Sequence, residues 1–368
     1  MRSNCSILLA LVTTLLAFAA PAGLPEQRYP VRLTDSAVKE PLRGLISMGA
    51  YKFAPVLGEP DNSLDTVRRK SGLLQGIVIL ASWRSLVPTA TSGLADNNEI
   101  DQGLEAVRKY NQDNPKTPLA VKIRVWGGFW APDWVMEASG GKVPVVHTNG
   151  QGKSKDRNLG HVWSDAYHKA WAHLQELLAA KYDGDPLVHE VAVTSCMMFT
   201  AEPFSIDTHP GALDPLRKAG MTDANYKACL NNIVDDYAPW KTTRFETPLN
   251  PFKDTDSGKP VHDVNFTLSW MDDCRKRAGE RCVFDNHDLD VPAKVDKDLQ
   301  TIYAAMKRSG AEVEFQTGPA SPPDLGGVIG YGLSNGATSI ELYQDYGGFT
   351  LVPDADLRKY SAMLINNH

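Results

Sequence analysis

Short apolar runs alternate with amphipathic stretches from about residue 42 to the end of the chain. Residues 44–48 (GLISM), 75–81 (QGIVILA) and 119–125 (LAVKIRV) read as strands, because aliphatic and β-branched residues cluster there without a helical period. Between the second and third runs, residues 99–111 set Ile100, Leu104 and Val107 on one helical face, with Asn98 placed to cap it. The same reading gives strands at 188–196 (running on to Glu202), 244–249, 281–284, 312–317 and 338–343. It gives helices at 164–182, 223–237, 261–278, 295–309, 325–335 and 354–365, with Gly336 as a stop. Residues 129–160, rich in Gly, Pro and polar side chains, read as a long functional loop over the strand ends, and residues 206–220 as another loop. Eight strand–helix units in one series predict an α/β fold, a single-domain (β/α)8 TIM barrel. An open doubly wound sheet would want a glycine-rich phosphate loop after an early strand, and no G-x-G-x-x-G occurs.

The amino-terminal pattern differs. Arg2 precedes an uncharged apolar stretch, residues 7–20, and small residues at Ala17, Ala19, Ala20 and Ala22. That is the pattern of a secretory signal peptide over residues 1–22. The stretch is short of the ~20 apolar residues a membrane span needs, and no later segment reaches that length. The expected mature chain, residues 23–368, is a secreted or periplasmic barrel without a membrane anchor. Its length, about 345 residues, suits one large barrel with insertions. A formal charge of -6 with no basic cluster argues against nucleic acid as a partner and leaves a neutral or weakly charged ligand. Cys5 departs with the leader. Cys274 and Cys282 flank a short polar turn and suit a local disulfide; Cys196 and Cys229 form the other possible pair, or Cys196 stays a buried thiol. Without a C-x-x-C pair no structural zinc is expected, and no cofactor is implied. Asn265-Phe266-Thr267 is a glycosylation sequon. Oligomeric state leaves no mark in the sequence.

Candidate chemistry gathers where strands end. Glu202, in Thr200-Ala201-Glu202-Pro203, follows the fourth strand, and Pro203 forbids the strand to continue. A carboxylate at that end of a barrel strand is placed for catalysis. Trp83, Trp126, Trp130 and Trp134 cluster after the second and third strands and suggest an aromatic platform for sugar rings. Hydrolysis of a glycosidic bond needs a second carboxylate. Glu341, between apolar neighbours in the last strand, is the first candidate and Glu314 its rival, with Gln316 two residues nearer the mouth. Arg124, inside an apolar strand, must be paired if buried, and Arg84 is read as a structural ion-pair partner. Asn286, His287 and Tyr343 lie at strand exits as further substrate contacts. Asp285 with His287 makes a metal site conceivable, although a polar edge is the plainer reading. No G-x-S-x-G elbow occurs, which argues against an esterase.

These segments resemble clan A glycoside hydrolases, in particular β-galactosidase-like members. Ser82-Trp83-Arg84-Ser85-Leu86-Val87-Pro88 is similar to their second-strand segment. Trp126-Gly127-Gly128 with Ala131-Pro132-Asp133-Trp134 is similar to their third-strand exit, and Thr200-Ala201-Glu202-Pro203 to their Asn-Glu-Pro. The resemblance covers residues 43–361 as a pattern. It implies a (β/α)8 barrel, a carbohydrate substrate, and the general acid/base role for Glu202. Ala201 stands where those enzymes have Asn, and Gln316 where they have the nucleophile. The expected activity is therefore glycosidase action on an oligo- or polysaccharide, with Glu202 and Glu341 as the carboxylates. Trp83, Arg124, Trp126, Trp130, Asn286, His287, Gln316 and Tyr343 are the expected substrate contacts. The other readings are a barrel that binds carbohydrate without catalysis, and a metal-dependent hydrolase using Asp285 and His287.

Overall fold

The structure is a computed structural model and describes residues 38–48, 70–148, 154–318, 324–343 and 352–367. The expected leader, Cys5, the exit residues 49–51 and the side chain of Tyr343 lie outside the described residues. Eight parallel strands close a barrel: β1 (Gly44–Met48), β2 (Gly76–Ser82), β3 (Ala120–Trp126), β6 (Val188–Ala192), β7 (Arg244–Pro248), β10 (Cys282–Asp285), β11 (Glu312–Gln316) and β12 (Ala337–Tyr343), with β12 back on β1. Two antiparallel hairpins are inserted, β4 (Val143–Thr148) with β5 (Ser154–Leu159), and β8 (Phe252–Asp254) with β9 (Val261–Asp263). The fold is a (β/α)8 barrel, as the alternation predicts. No described helix is long and apolar enough to cross a membrane.

Alternation along each strand sorts side chains between two cores. Outward residues such as Ile77, Ile79, Val121, Ile123, Phe245, Phe284, Phe315 and Ile340 are buried under the helices. Helix Glu99–Asp113 shows why the outer layer forms. Asn98 accepts from the backbone N–H of Ile100 and Asp101, and Asp101 answers with its own carboxylate, a capping box. Ile100, Leu104 and Val107 then face β2. A Cβ on Gly103 would sit 2.7 Å from Ile79 Cδ1, so this helix packs closer to the sheet than any other residue there would allow. Burying each such aliphatic side chain contributes roughly 1.5–3 kcal/mol.

Several boundaries differ from expectation, each for a local reason. Residues 129–160 are not one open loop. They hold a short helix, Asp133–Ala138, and the β4–β5 hairpin, whose alternation at Val143 and Val145 supplies buried residues. The expected loop at 206–220 contains helix Pro210–Lys218, opened by a proline at its first position. The helix expected at 261–278 begins at Val264, because Asp263 caps it and residues 261–263 pair in β9. The expected 223–237 helix breaks into Asp223–Asn231 and Ile233–Asp236. The fourth barrel strand stops at Ala192 instead of continuing to Cys196. There the Tyr237 hydroxyl takes over, donating to Ala192 O and accepting from Thr194 N, both at 3.1 Å. Both expected disulfides are present, Cys196–Cys229 and Cys274–Cys282. The first ties the segment leading to Glu202 to helix Asp223–Asn231. The Tyr226 hydroxyl adds contacts of 2.9 and 2.8 Å to the carbonyl oxygens of Cys196 and Pro203.

Candidate active site

The barrel interior has two unlike sides. Leu42, Ile46, Val78 and Leu80 form an apolar cluster below half-buried Trp126. Beside them, β3 sets Lys122 and Arg124 in register with Val78 and Leu80 and points them across the barrel at carboxylates from β6, β7, β11 and β12. Lys122 Nζ lies 3.6 Å from Glu190, 3.8 Å from Glu246 and 3.6 Å from Glu341, and bonds directly to Glu314. Arg124 Nη2 donates to Glu341 Oε2 at 2.6 Å, and Nη1 to Gln316 Oε1 at 3.4 Å. All of these groups are buried. Burial alone pulls Lys122 down, but the four carboxylates outweigh it and hold the ammonium well above its usual range. Burial likewise pushes Glu341 up, and the nearby Arg124 and Lys122 reverse this, so Glu341 stays ionised. Glu190 and Glu314 go the other way, raised by burial first.

His287 stands above this layer. Its Nε2 lies 2.9 Å from Asp285 Oδ2 and 3.6 Å from Glu246 Oε1, and its Nδ1 lies 3.8 Å from Glu202 Oε1. Burial favours the neutral ring, but Asp285 and Glu246 overcome it and raise His287 to about 10. Glu246, Asp285 and His287 offer ligand atoms within 4.8 Å of one another, a spacing that suits a metal ion. The electrostatics do not suit one: Lys122 is 3.8 Å and Arg124 4.0 Å from Glu246 Oε2, so two cations of the chain already face the trio.

Glu202 sits at the opening, half-buried, and accepts from Asn250 Nδ2 at 3.3 Å. Asp288 is on the same rim. It keeps an exposed surface although protein atoms crowd its carboxyl; that crowding and the charge of Glu202 push it up to about 6.

The turn after β3 is pressed against the segment leading to Glu202. Gly128 has φ 56, and a Cβ there would lie 2.2 Å from Met198 O. Only glycine fits both the left-handed conformation and the approach. Arg84 fastens the same turn, donating to Phe129 O at 2.6 Å and Ala131 O at 3.1 Å while lying over the Trp130 ring. It is a backbone clamp and not the ion-pair partner expected.

Several expected contacts are corrected. Trp83 is fully buried, packed edge-on against Trp134, Tyr167 and Trp171. Ser82 caps a helical turn that starts at Trp83 and rotates the indole into the outer core, away from any sugar. Asn286 is also fully buried, and its amide is spent on protein. It donates to Leu249 O and Asn250 Oδ1, and accepts from Asp288 N and the Tyr303 hydroxyl. It braces the β7 and β10 exits and does not contact substrate. Glu341 lies beneath the opening, sealed by Arg124, instead of facing the rim. Glu314 is deeper, on Lys122. Arg124 and Gln316 are buried with them. Trp126 and Trp130 remain half-buried near the mouth. The sequence reading passed over Lys122, Glu190, Glu246 and Asn250. A charged residue at every second position of an apolar strand, as in AVKIRVW, was the available signal.

No protein-family profile and no curated protein matches the chain. Among solved structures, the catalytic domain of β-amylase from Paenibacillus polymyxa aligns with a TM-score of 0.50 at 11% identity, over 88% of this chain and 98% of that one. The likeness is one of fold. An endo-β-1,4-glucanase from Xanthomonas axonopodis pv. citri gives 0.49 at 13% identity, over 87% and 99%. A β-galactosidase from a psychrophilic Marinomonas gives 0.46 at 12%, over 82% and 54%. At these identities the likeness shows a shared barrel fold and leaves chemistry to be argued from the site.

Proposed function

We propose that this chain is an exported glycoside hydrolase, and that Glu202 moves the proton at the glycosidic oxygen. The observation that carries the reading is the position of Glu202: a half-buried carboxylate beyond the fourth barrel strand, steadied by Asn250, with His287 behind it and Asp288 on the same rim. Acid–base cleavage needs one carboxyl that keeps its proton and one that is charged. Glu202 and Asp288 supply such a pair. Burial first, and the charge of Glu202 second, keep the proton on Asp288 up to about pH 6. Glu341, expected to be the second carboxylate, becomes the ionised anchor of Arg124 beneath the site. Trp126 and Trp130, half-buried near the mouth, are the aromatic surface left for a sugar ring. Two disulfides suit the exported compartment proposed for the chain.

The test is turnover on a panel of oligo- and polysaccharides. Glu202→Gln and Asp288→Asn should fold normally and each lose roughly 10²–10⁴-fold in kcat. Activity should fall as pH rises through about 6, where Asp288 loses its proton. Full activity in Glu202→Gln defeats the assignment. Full activity in Asp288→Asn, with a folded but inert Glu341→Gln, returns the second role to Glu341.

A further inference from the structure

Beside the opening lies a cleft of about 320 Å³ that none of the groups above occupies. Its walls are the segment that carries Glu202, through Phe199, Thr200 and Asp207–His209, together with His147 of the β4–β5 hairpin and Lys253 of the β8–β9 hairpin. Its centre is a built arrangement. The Asp207 side chain, 5% exposed, accepts from His147 Nδ1 at 2.7 Å and Thr148 N at 3.3 Å through one oxygen. Through the other it accepts from His209 Nδ1 at 2.8 Å and His209 N at 3.0 Å. Burial pushes this carboxyl up, but the hydrogen bonds outweigh it and keep the group below its usual range.

An ionised Asp207 facing two Nδ1 atoms fixes the orientation of both imidazoles. Each Nδ1 carries hydrogen toward the carboxylate, and each Nε2 is turned away from it, an acceptor in the neutral ring. The His147 ring also lies flat on Phe199, with centroids 4.2 Å apart and planes 4° from parallel. One wall of the cleft is therefore a rigid stacked ring, and two oriented acceptors stand around it. Two bare Nε2 atoms call for O–H donors. A carboxylate or sulfate has none at neutral pH, and of the lining only Lys253 carries a fixed positive charge to receive it. A pyranose offers several hydroxyls and a C–H face for the ring.

We propose that this cleft is a subsite for one neutral sugar unit of the substrate, next to the unit cut at Glu202, with His147 and His209 as its specificity-determining residues. The proposal rests on the glycosidase reading for its direction, since the Phe199–Asp207 wall and the Glu202 loop are one stretch of chain. Lys253 joins the two places as well: it lines the cleft and acts on the charge of Asp288.

The test joins binding to kinetics in the full chain. Imidazole ¹⁵N resonances of His147 and His209 are followed while neutral and uronate-containing oligosaccharides of increasing length are added. The expected result is that neutral chains long enough to pass the cut site shift both Nε2 signals, and uronate chains at the same concentration do not. In kinetics, His147→Ala and His209→Ala should each lower the long-to-short substrate ratio of kcat/KM roughly tenfold, the size of one lost hydrogen bond. Should His147→Ala fail to fold, His147→Gln and the resonance shifts in the unmutated chain carry the test. Glycan cleavage with both imidazole signals unmoved and the ratio unchanged overturns the subsite and leaves the hydrolase reading. Shifts on sugar binding without turnover of any glycan uphold the subsite and overturn the hydrolase reading. Preference for uronate chains overturns the neutral assignment, and a panel that neither binds nor reacts overturns both.

Discussion

On the β1–β2 side of the barrel interior, Leu42, Ile46, Val78 and Leu80 pack without a charged group among them. From β3 round to β12, two cations hold carboxylates from four other strands. The apolar side gains from each methylene removed from water. The charged side starts from a desolvation cost that its ion pairs only offset, so it adds little net stability and much sensitivity to loss of one partner. The cost falls beneath the opening, where an oriented charge layer fixes His287 and, through it, the setting of Glu202. The apolar side answers for the barrel's cohesion and the charged side for the shape of the site.

Removing the central cation should break this contrast most severely. Lys122→Met leaves Glu190, Glu246 and Glu314 facing one another and should cost about 3–5 kcal/mol in urea unfolding. A loss below about 1 kcal/mol would mean that the carboxyls simply take up protons and the charged side is not a strained element.

Changing pH should separate the sides next. The folded pKa of His287 is raised from 6.5 to about 10. A group so raised contributes stability that is fully present below its unfolded value and is lost as pH rises through the folded one. The urea midpoint should therefore fall between about pH 6.5 and 10, and Glu190, Glu314 and Asp285, also raised, act in the same direction. His287→Gln should flatten this slope; an unchanged slope would assign it to the carboxyls.

The smallest effect belongs to the apolar side. Ile46→Val should cost about 0.5–1.5 kcal/mol, and the same amount at either end of that pH range. A cost that varies with pH would show that the two sides are coupled.

The barrel was legible because its signal is local. Each strand of GIVILAS or AVKIRVW type carries its own pattern, and Asn98 announces its helix. The charge layer was not legible, because its pairs join residues far apart in sequence, such as Lys122 with Glu314 and Arg124 with Glu341. Which carboxylate each cation meets depends on barrel closure. Glu202 could be found because proline marks a strand's end whatever the fold around it. Trp83 was misread because the same local sequence, Ser-Trp-Arg, can continue an extended exit or cap a turn. The outer core decided, by offering Tyr167 and Trp171 for the indole to pack on.

The contact between Gly128 and the Met198 carbonyl has a consequence for anyone who would reshape this protein. Because two neighbouring loops meet there backbone to backbone, they form a single module. A longer or borrowed loop at either position would drag the other along, and with it the reach of the acid.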